Sequence, residues 1–102
     1  MKIGVAAAGG SLDAEVSQQL GRCAYFVIVD SETMRFEAFS NPAAGMAGGA
    51  GPAAVRELAN RGVEVVLAGG CGPNAESALE AAGIRFSQAS GKVRDAVAAL
   101  ES

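Results

Sequence analysis

Two cysteines and two glycine-rich turns carry most of the chemistry this chain can offer. Cys71 stands in residues 68–84, AGGCGPNAESALEAAGI, which repeat the phrase AGGAGPAAVRELANRGV of residues 47–63. Gly48/Gly69, Gly51/Gly72, Pro52/Pro73, Leu58/Leu79 and Gly62/Gly83 fall in register, and only the second copy holds a cysteine. A glycine turn that feeds a helix start can aim backbone N–H groups inward, forming an anion nest reinforced by the helix dipole. Two such nests, with Arg22, Lys92 and Arg94 nearby, suit an anion too large for one loop. The plainer reading of Gly-Gly-x-Gly-Pro is a tight strand-to-helix connection. At such a helix start the Cys71 thiol is expected to have a lowered pKa, and so to serve as a soft metal ligand or nucleophile; otherwise it is a small apolar side chain. Cys23 carries the same pair of readings. Met46 offers a thioether or a mobile apolar contact.

Several chemistries are excluded by what is missing. Histidine is absent, and with it the usual general base, proton shuttle and commonest transition-metal ligand. Neither Ser11 nor Cys71 therefore has a base to activate it through a dyad. The glycine turns match neither the Walker pattern nor the dinucleotide fingerprint. Two cysteines are too few for a disulfide framework or a four-ligand zinc site. The net charge is −3, from 8 basic and 11 acidic residues, so no overall field attracts nucleic acid. The first apolar run breaks at Gly9-Gly10, and no later run approaches membrane-spanning length. A soluble, cytoplasmic, non-catalytic binding protein is the expectation.

The elements that must position these residues follow from the hydrophobic pattern. At 102 residues, half of them hydrophobic but only 5% aromatic, the chain fits one domain (1–102) with a core of Val, Ile, Leu and Ala. Residues 2–8 (KIGVAAA), 25–30 (YFVIVD) and 34–39 (MRFEAF) read as strands, the last two forming a hairpin. Residues 11–22 are polar, with only Leu12, Val16 and Leu20 at four-residue spacing; they read as a loop with some helix. A helix opens at Pro52 and runs to Gly62, residues 63–68 form a buried strand, and a second helix opens at Pro73 and closes at Gly83. Residues 84–88 (IRFSQ) form a short strand, and Ser90 caps a last helix bearing Val93, Ala96, Val97 and Leu100.

The order β β β α β α β α implies parallel crossovers among the later strands, with the hairpin on the far edge. This is an α/β fold, a mixed five-stranded sheet of ribonuclease H-like arrangement with helices on its faces. Its first strand has no carboxylates to hold the divalent metal that a nuclease of this topology needs. The upper rim should gather residues 9–11, 21–23, 48–51, 69–73 and 90–92, where ligands of open α/β sheets bind. Residues 41–51, nearly all Ala and Gly, have little to anchor them and should form a mobile lid over this rim.

Together, MKIGVAAAGGSLDAEVSQQLGRCAYFVIVD, NPAAGMAGGAGPAAVREL, GVEVVLAGGCGPNAESALEAAGI and SGKVRDAVAAL resemble the dinitrogenase iron-molybdenum cofactor biosynthesis family, in particular its small orange-protein type. The resemblance spans nearly the whole chain. It implies a ribonuclease H-like fold without nuclease activity and a role in binding, carrying or scaffolding an anionic metal–sulfur cluster of Mo–Cu sulfide or Fe–Mo type, with protein partners in cluster assembly or delivery. Carried over position by position, it implies a site of Ser11, Arg22, Cys23, Asn41, Gly49, Gly51, Gly70, Cys71, Gly72 and Ser90; orange-protein members hold their cluster without obvious covalent ligation, and Cys71 and Cys23 stay candidate metal ligands on their own chemistry. Gln19 and Leu20 replace a basic and an aromatic residue, and histidines proposed as ligands in the nitrogenase accessory proteins have no counterpart. Both departures count against the nitrogenase cofactor itself as cargo. The alternatives are a regulatory or protein-interaction module of the same fold that has lost cluster binding, and a phosphate or nucleotide binder.

Overall fold

The computed structural model describes residues 1–101, apart from the side chain of Glu101. Eight elements follow in order: β1 (Lys2–Ala7), β2 (Tyr25–Asp30), β3 (Phe36–Ser40), α1 (Ala50–Asn60), β4 (Val65–Ala68), α2 (Pro73–Ala82), β5 (Arg85–Gln88) and α3 (Val93–Glu101). They build one five-stranded sheet in the order β3-β2-β1-β4-β5. β2 runs antiparallel to both β1 and β3, while β1, β4 and β5 are mutually parallel. The expected ribonuclease H-like sheet, with one antiparallel strand, is what the chain forms.

Period-two alternation sorts the strand side chains onto two faces. Ala6, Phe26, Ile28, Val66 and Ala68 meet Val55 and Leu58 of α1 and Leu79 of α2. Ile3, Val5, Val27, Val29, Val65 and Leu67 meet Val93, Ala96 and Val97 of α3. The three inner strands are buried on both faces, which is why they read as continuous apolar runs. Each fully buried Leu or Val contributes about 1.5–3 kcal/mol to holding the layers together.

Several element boundaries differ from the sequence reading, each for a local reason. β3 starts at Phe36 rather than Met34, because Met34 adopts a left-handed conformation (φ 59°) and donates its N–H back to the Asp30 carbonyl to close the hairpin. β4 starts two residues late because Val63 donates to the Leu58 carbonyl, finishing the end of α1 where Gly62 is left-handed (φ 79°). Ile84 likewise donates to Leu79 and stays outside β5. α1 begins at Ala50, two residues before Pro52. Residues 11–22 contain no helix; Val16 bridges Ala7 and Glu15 bridges Lys92, so the segment is laid against β1 and the start of α3.

Candidate functional site

Above the carboxyl ends of β1 and β4, residues 17–21 are stitched between the two strands. Ser17 donates to Ala6 at 2.7 Å, Gly69 to Ser17 at 2.8 Å and Leu20 to Gly70 at 3.2 Å. This brings three backbones into contact. A methyl group at Gly21 would lie 2.8 Å from the Gly51 nitrogen, and one at Gly51 would lie 2.9 Å from the Ala75 Cβ. These two glycines therefore weld the starts of α1 and α2 to each other and to residues 17–21. In front of the weld opens a cavity of about 640 Å³ whose wall includes Arg22, Gly49, Gly51, Gly70, Cys71 and Gly72.

Both helices begin at this cavity, and neither has a side-chain cap. Gly49 (φ 73°) precedes α1 and Gly72 precedes α2. The first intrahelical bonds run from Ala53 to the Gly49 carbonyl (3.1 Å) and from Glu76 to the Gly72 carbonyl (2.9 Å). Pro52 and Pro73 have no N–H to offer. What remains at the two helix starts is the pair of N–H groups of Ala50 and Gly51 beside the pair of Asn74 and Ala75, which have no acceptor four residues back within their helices. The positive ends of two helix dipoles thus sit side by side. Among the described residues, Arg22 is the only charged side chain in the wall. Its Nη1 donates to the Met46 carbonyl at 2.7 Å.

Cys71 is partly exposed at the cavity, and its Sγ donates weakly to the Gly72 carbonyl at 3.5 Å. Burial and the nearby Glu76 carboxylate push its thiol pKa up. The expectation of a lowered pKa is therefore overturned. Cys71 precedes the N-cap instead of joining the first turn, and the first turn of α2 contributes a negative charge through Glu76.

The other thiol lies behind the wall. Cys23 is 2% exposed, and its Sγ donates to the Leu20 carbonyl at 3.3 Å. Burial pushes its pKa up to about 11. Beside it, the Asn41 Nδ2 donates to the carbonyls of Gly21 and Cys23, both at 3.0 Å, and approaches the Cys23 Sγ at 3.7 Å; the Oδ1 accepts from Ala43 N–H at 2.9 Å. Cys23 and Asn41 form a buried buttress under Gly21-Arg22.

Of the ten residues carried over from the sequence, the structure brings six to the cavity: Arg22, Gly49, Gly51, Gly70, Cys71 and Gly72. Ser11 is exposed in a turn whose Ser11 carbonyl accepts from Ala14. Ser90 borders a smaller depression with Gln18, Gly69 and Gln88. Arg94 pairs with Asp13 at 2.9 Å, and neither Lys92 nor Arg94 is among the residues of the cavity wall. The wall is thus drawn from residues 18–22, 48–52 and 70–75, and the expected contributions of residues 9–11 and 90–92 fall elsewhere. Residues 41–51 are also less loose than expected: Asn41 and Ala43 are buried, and Arg22 holds Met46, leaving residues 45–49 as the exposed stretch. The rim read from the sequence left out the wall residues Gln18, Gln19, Leu20, Pro52, Asn74 and Ala75. Asn74 had a usable signal, since a residue just after a helix-opening proline lies in the first turn.

The whole chain, residues 1–102, matches the family model described as dinitrogenase iron-molybdenum cofactor. The chain belongs to that family. Among solved structures it is similar to the apo form of the orange protein from Desulfovibrio gigas, with a TM-score of 0.93 and 42% identity over 98% of this chain and 86% of that one. It is also similar to a NifB-like protein of the DUF35 family from Thermotoga, with a TM-score of 0.84 and 33% identity over 98% of this chain and 86% of that one. Among curated proteins no sequence match is found. Family and neighbour together tie the chain to the handling of iron-molybdenum cofactor or metal–sulfur clusters. No described helix is long and apolar enough to cross a membrane.

Proposed function

We propose that the cavity is a cradle for a preformed anionic metal–sulfur cluster, molybdenum-containing and of Mo–Cu or Fe–Mo type, which the protein carries as cargo and hands on without transforming it. The observation that carries this reading is the convergence of two uncapped helix starts and the Arg22 guanidinium on one cavity. Backbone N–H groups and a guanidinium bind charge at the surface of an anion; they do not coordinate a bare metal ion. Among the described residues, no three Cys, Asp or Glu side chains are placed to hold a metal. A cargo suited to this wall brings its own sulfide ligands. Pro52 and Pro73 supply apolar surface beside the donors, which suits a soft, weakly hydrated sulfide better than a phosphate. Cys71 adds a neutral S–H at the wall, because burial and Glu76 oppose its ionisation. Ser11, Cys23, Asn41 and Ser90 stand outside this binding surface, Cys23 and Asn41 acting through the backbone of Gly21-Arg22.

With no Trp and one Tyr, the protein has little absorption of its own. Tetrathiomolybdate with Cu(I) should give a coloured complex that survives gel filtration, and Cys71→Ser should retain it. Asn74→Asp is the sharper test. A carboxylate in the first turn keeps the side-chain shape and favours the helix, yet it repels an anion bound there. Cluster affinity should fall about tenfold or more with thermal stability unchanged or slightly raised. A protein that stays colourless, or an Asn74→Asp variant that binds as well as the parent, refutes the cradle.

A further inference from the structure

Arg22 faces two groups at once. Arg22 lines the wall of the cavity, and its Nη1 holds the Met46 carbonyl at 2.7 Å, from a loop twenty-four positions along the chain. That loop has few other attachments. Ala44 donates to Asn41 and Met46 to Ala43. Among the described residues, no hydrogen bond reaches Gly45, Ala47 or Gly48, and a methyl group at Gly45 or Gly48 would meet nothing within 4 Å. The side chain of Met46 is 40% exposed. Among the described residues, 45–48 are therefore a strap held by one local turn bond, from Met46 to Ala43, and one charge-assisted hydrogen bond, whose donor is the charged side chain of the cavity wall. Behind it, the buried Asn41 fixes the Gly21 and Cys23 carbonyls on either side of Arg22, so the stem of the guanidinium is set by the core.

We propose that Arg22 couples the filling of the cavity to the ordering of this strap, which rests on the reading of the cavity as an anion cradle. Guanidinium presents five N–H donors in a planar fork, so one edge can hold the Met46 carbonyl while the others face the cavity. In the empty protein the guanidinium is free to leave the carbonyl for water. An anion in the cavity pins it by charge and hydrogen bonding, and the pinned guanidinium fixes the Met46 carbonyl and with it residues 45–48. Gly48 also stands in the cavity wall, but Gly45, Met46 and Ala47 lie outside it, so that part of the strap is closed by the cargo's charge rather than by contact with the cargo, and loss of the anion frees it. The same coupling works in reverse: anything that pulls the strap away from Arg22 weakens the cavity's hold on the anion.

Amide hydrogen exchange with tetrathiomolybdate plus Cu(I) as the probe tests this on the intact chain. In the parent, saturating probe should slow exchange at Gly51 and Ala75 and also, by about tenfold, at the strap amides outside the cavity wall, Gly45 and Ala47. In Arg22→Gln, at probe concentrations raised until Gly51 and Ala75 are again protected, the strap amides should show no slowing. Met46→Ala keeps the carbonyl and should keep the coupling. The amides of β1 report that each variant is folded. Strap protection that persists in Arg22→Gln, or that disappears in Met46→Ala, overturns the coupling, as does a parent whose helix starts are protected while its strap is not. Protection absent from helix starts and strap alike would instead refute the cradle, and the coupling with it.

Discussion

A methyl group at Gly48 would meet nothing within 4 Å, whereas at its counterpart Gly69 it would strike the Gln18 backbone at 2.8 Å. Three positions on, the relation reverses: Gly51 is jammed against Ala75 and Gly72 stands in open space. The cause is where each helix begins. α1 starts two residues before Pro52, and α2 starts at Pro73 itself. The proline tolerates both settings, because a residue in the first turn has no intrahelical bond to lose. Matching letters therefore land at different depths in the two turns. Position 50 becomes a buried residue of α1, while position 71 stays ahead of its helix with its side chain at the mouth. Both positions border the cavity, but only at position 71 is the side chain partly exposed there. A repeated phrase gives two helix starts that fit together because they are not identical.

The hardest test of this asymmetry is a pair of single-methyl additions. Gly51→Ala should cost about 3 kcal/mol of stability, since neither the Ala75 Cβ nor the backbone of α2 can yield without parting the two helices. Gly72→Ala should change stability by under ~0.5 kcal/mol, as surface substitutions do. Equal denaturation midpoints would break the comparison.

A second contrast lies between the two thiols. Burial raises Cys23 to about 11 from the ordinary thiol value of 9.0, so the folded state holds its proton after the unfolded chain has lost it. Its contribution is complete below pH 9 and is lost as pH rises toward 11, about 2–3 kcal/mol in all. Relative to Cys23→Ala, the parent should lose that stability in urea titrations across this window. Cys71, raised but partly exposed, contributes in the same direction and less. The smallest effect is a difference in reactivity. In the native protein an alkylating reagent should label Cys71 slowly at pH 7 and faster as pH rises, and should leave Cys23 untouched. A cysteine introduced as Ala50→Cys, in the position that matches Cys71, should resist labelling as Cys23 does.

The sheet was readable because β-branched runs ended by glycine leave few topologies, and the crossover rule then orders the strands. The convergence of residues 48–51 and 69–73 followed from that order. The sequence could not show that residues 11–22 would take strand-like bridges, since three apolar residues at four-residue spacing fit an edge lying on a sheet as well as a helix turn. Nor could it show that Gly21 and Gly51 serve close packing, because an open glycine and a jammed one are the same letter. The sign of the Cys71 shift turned on where the helix begins relative to Pro73 and on Glu76 in its first turn, a matter of one or two residues that pattern reading does not resolve.

The order of the strands also bears on when the cavity comes into being. β1, β2 and β3 pair with neighbours in sequence, but the β1–β4 pairing of Ile3 with Val65 must close a loop of some sixty residues. Long closures come late, after local hairpins have formed. The walls of the cavity are drawn from inside that loop, at Gly21 and Gly51, and from beyond it, at Ala75. A half-folded chain then has strands and helices but no cradle, so the newly made protein should not load until its last long-range pairing is complete. Pulse-labelled refolding, with β2 amides protected before those of β4 and colour appearing only with the latter, would show the site acting as its own certificate of folding.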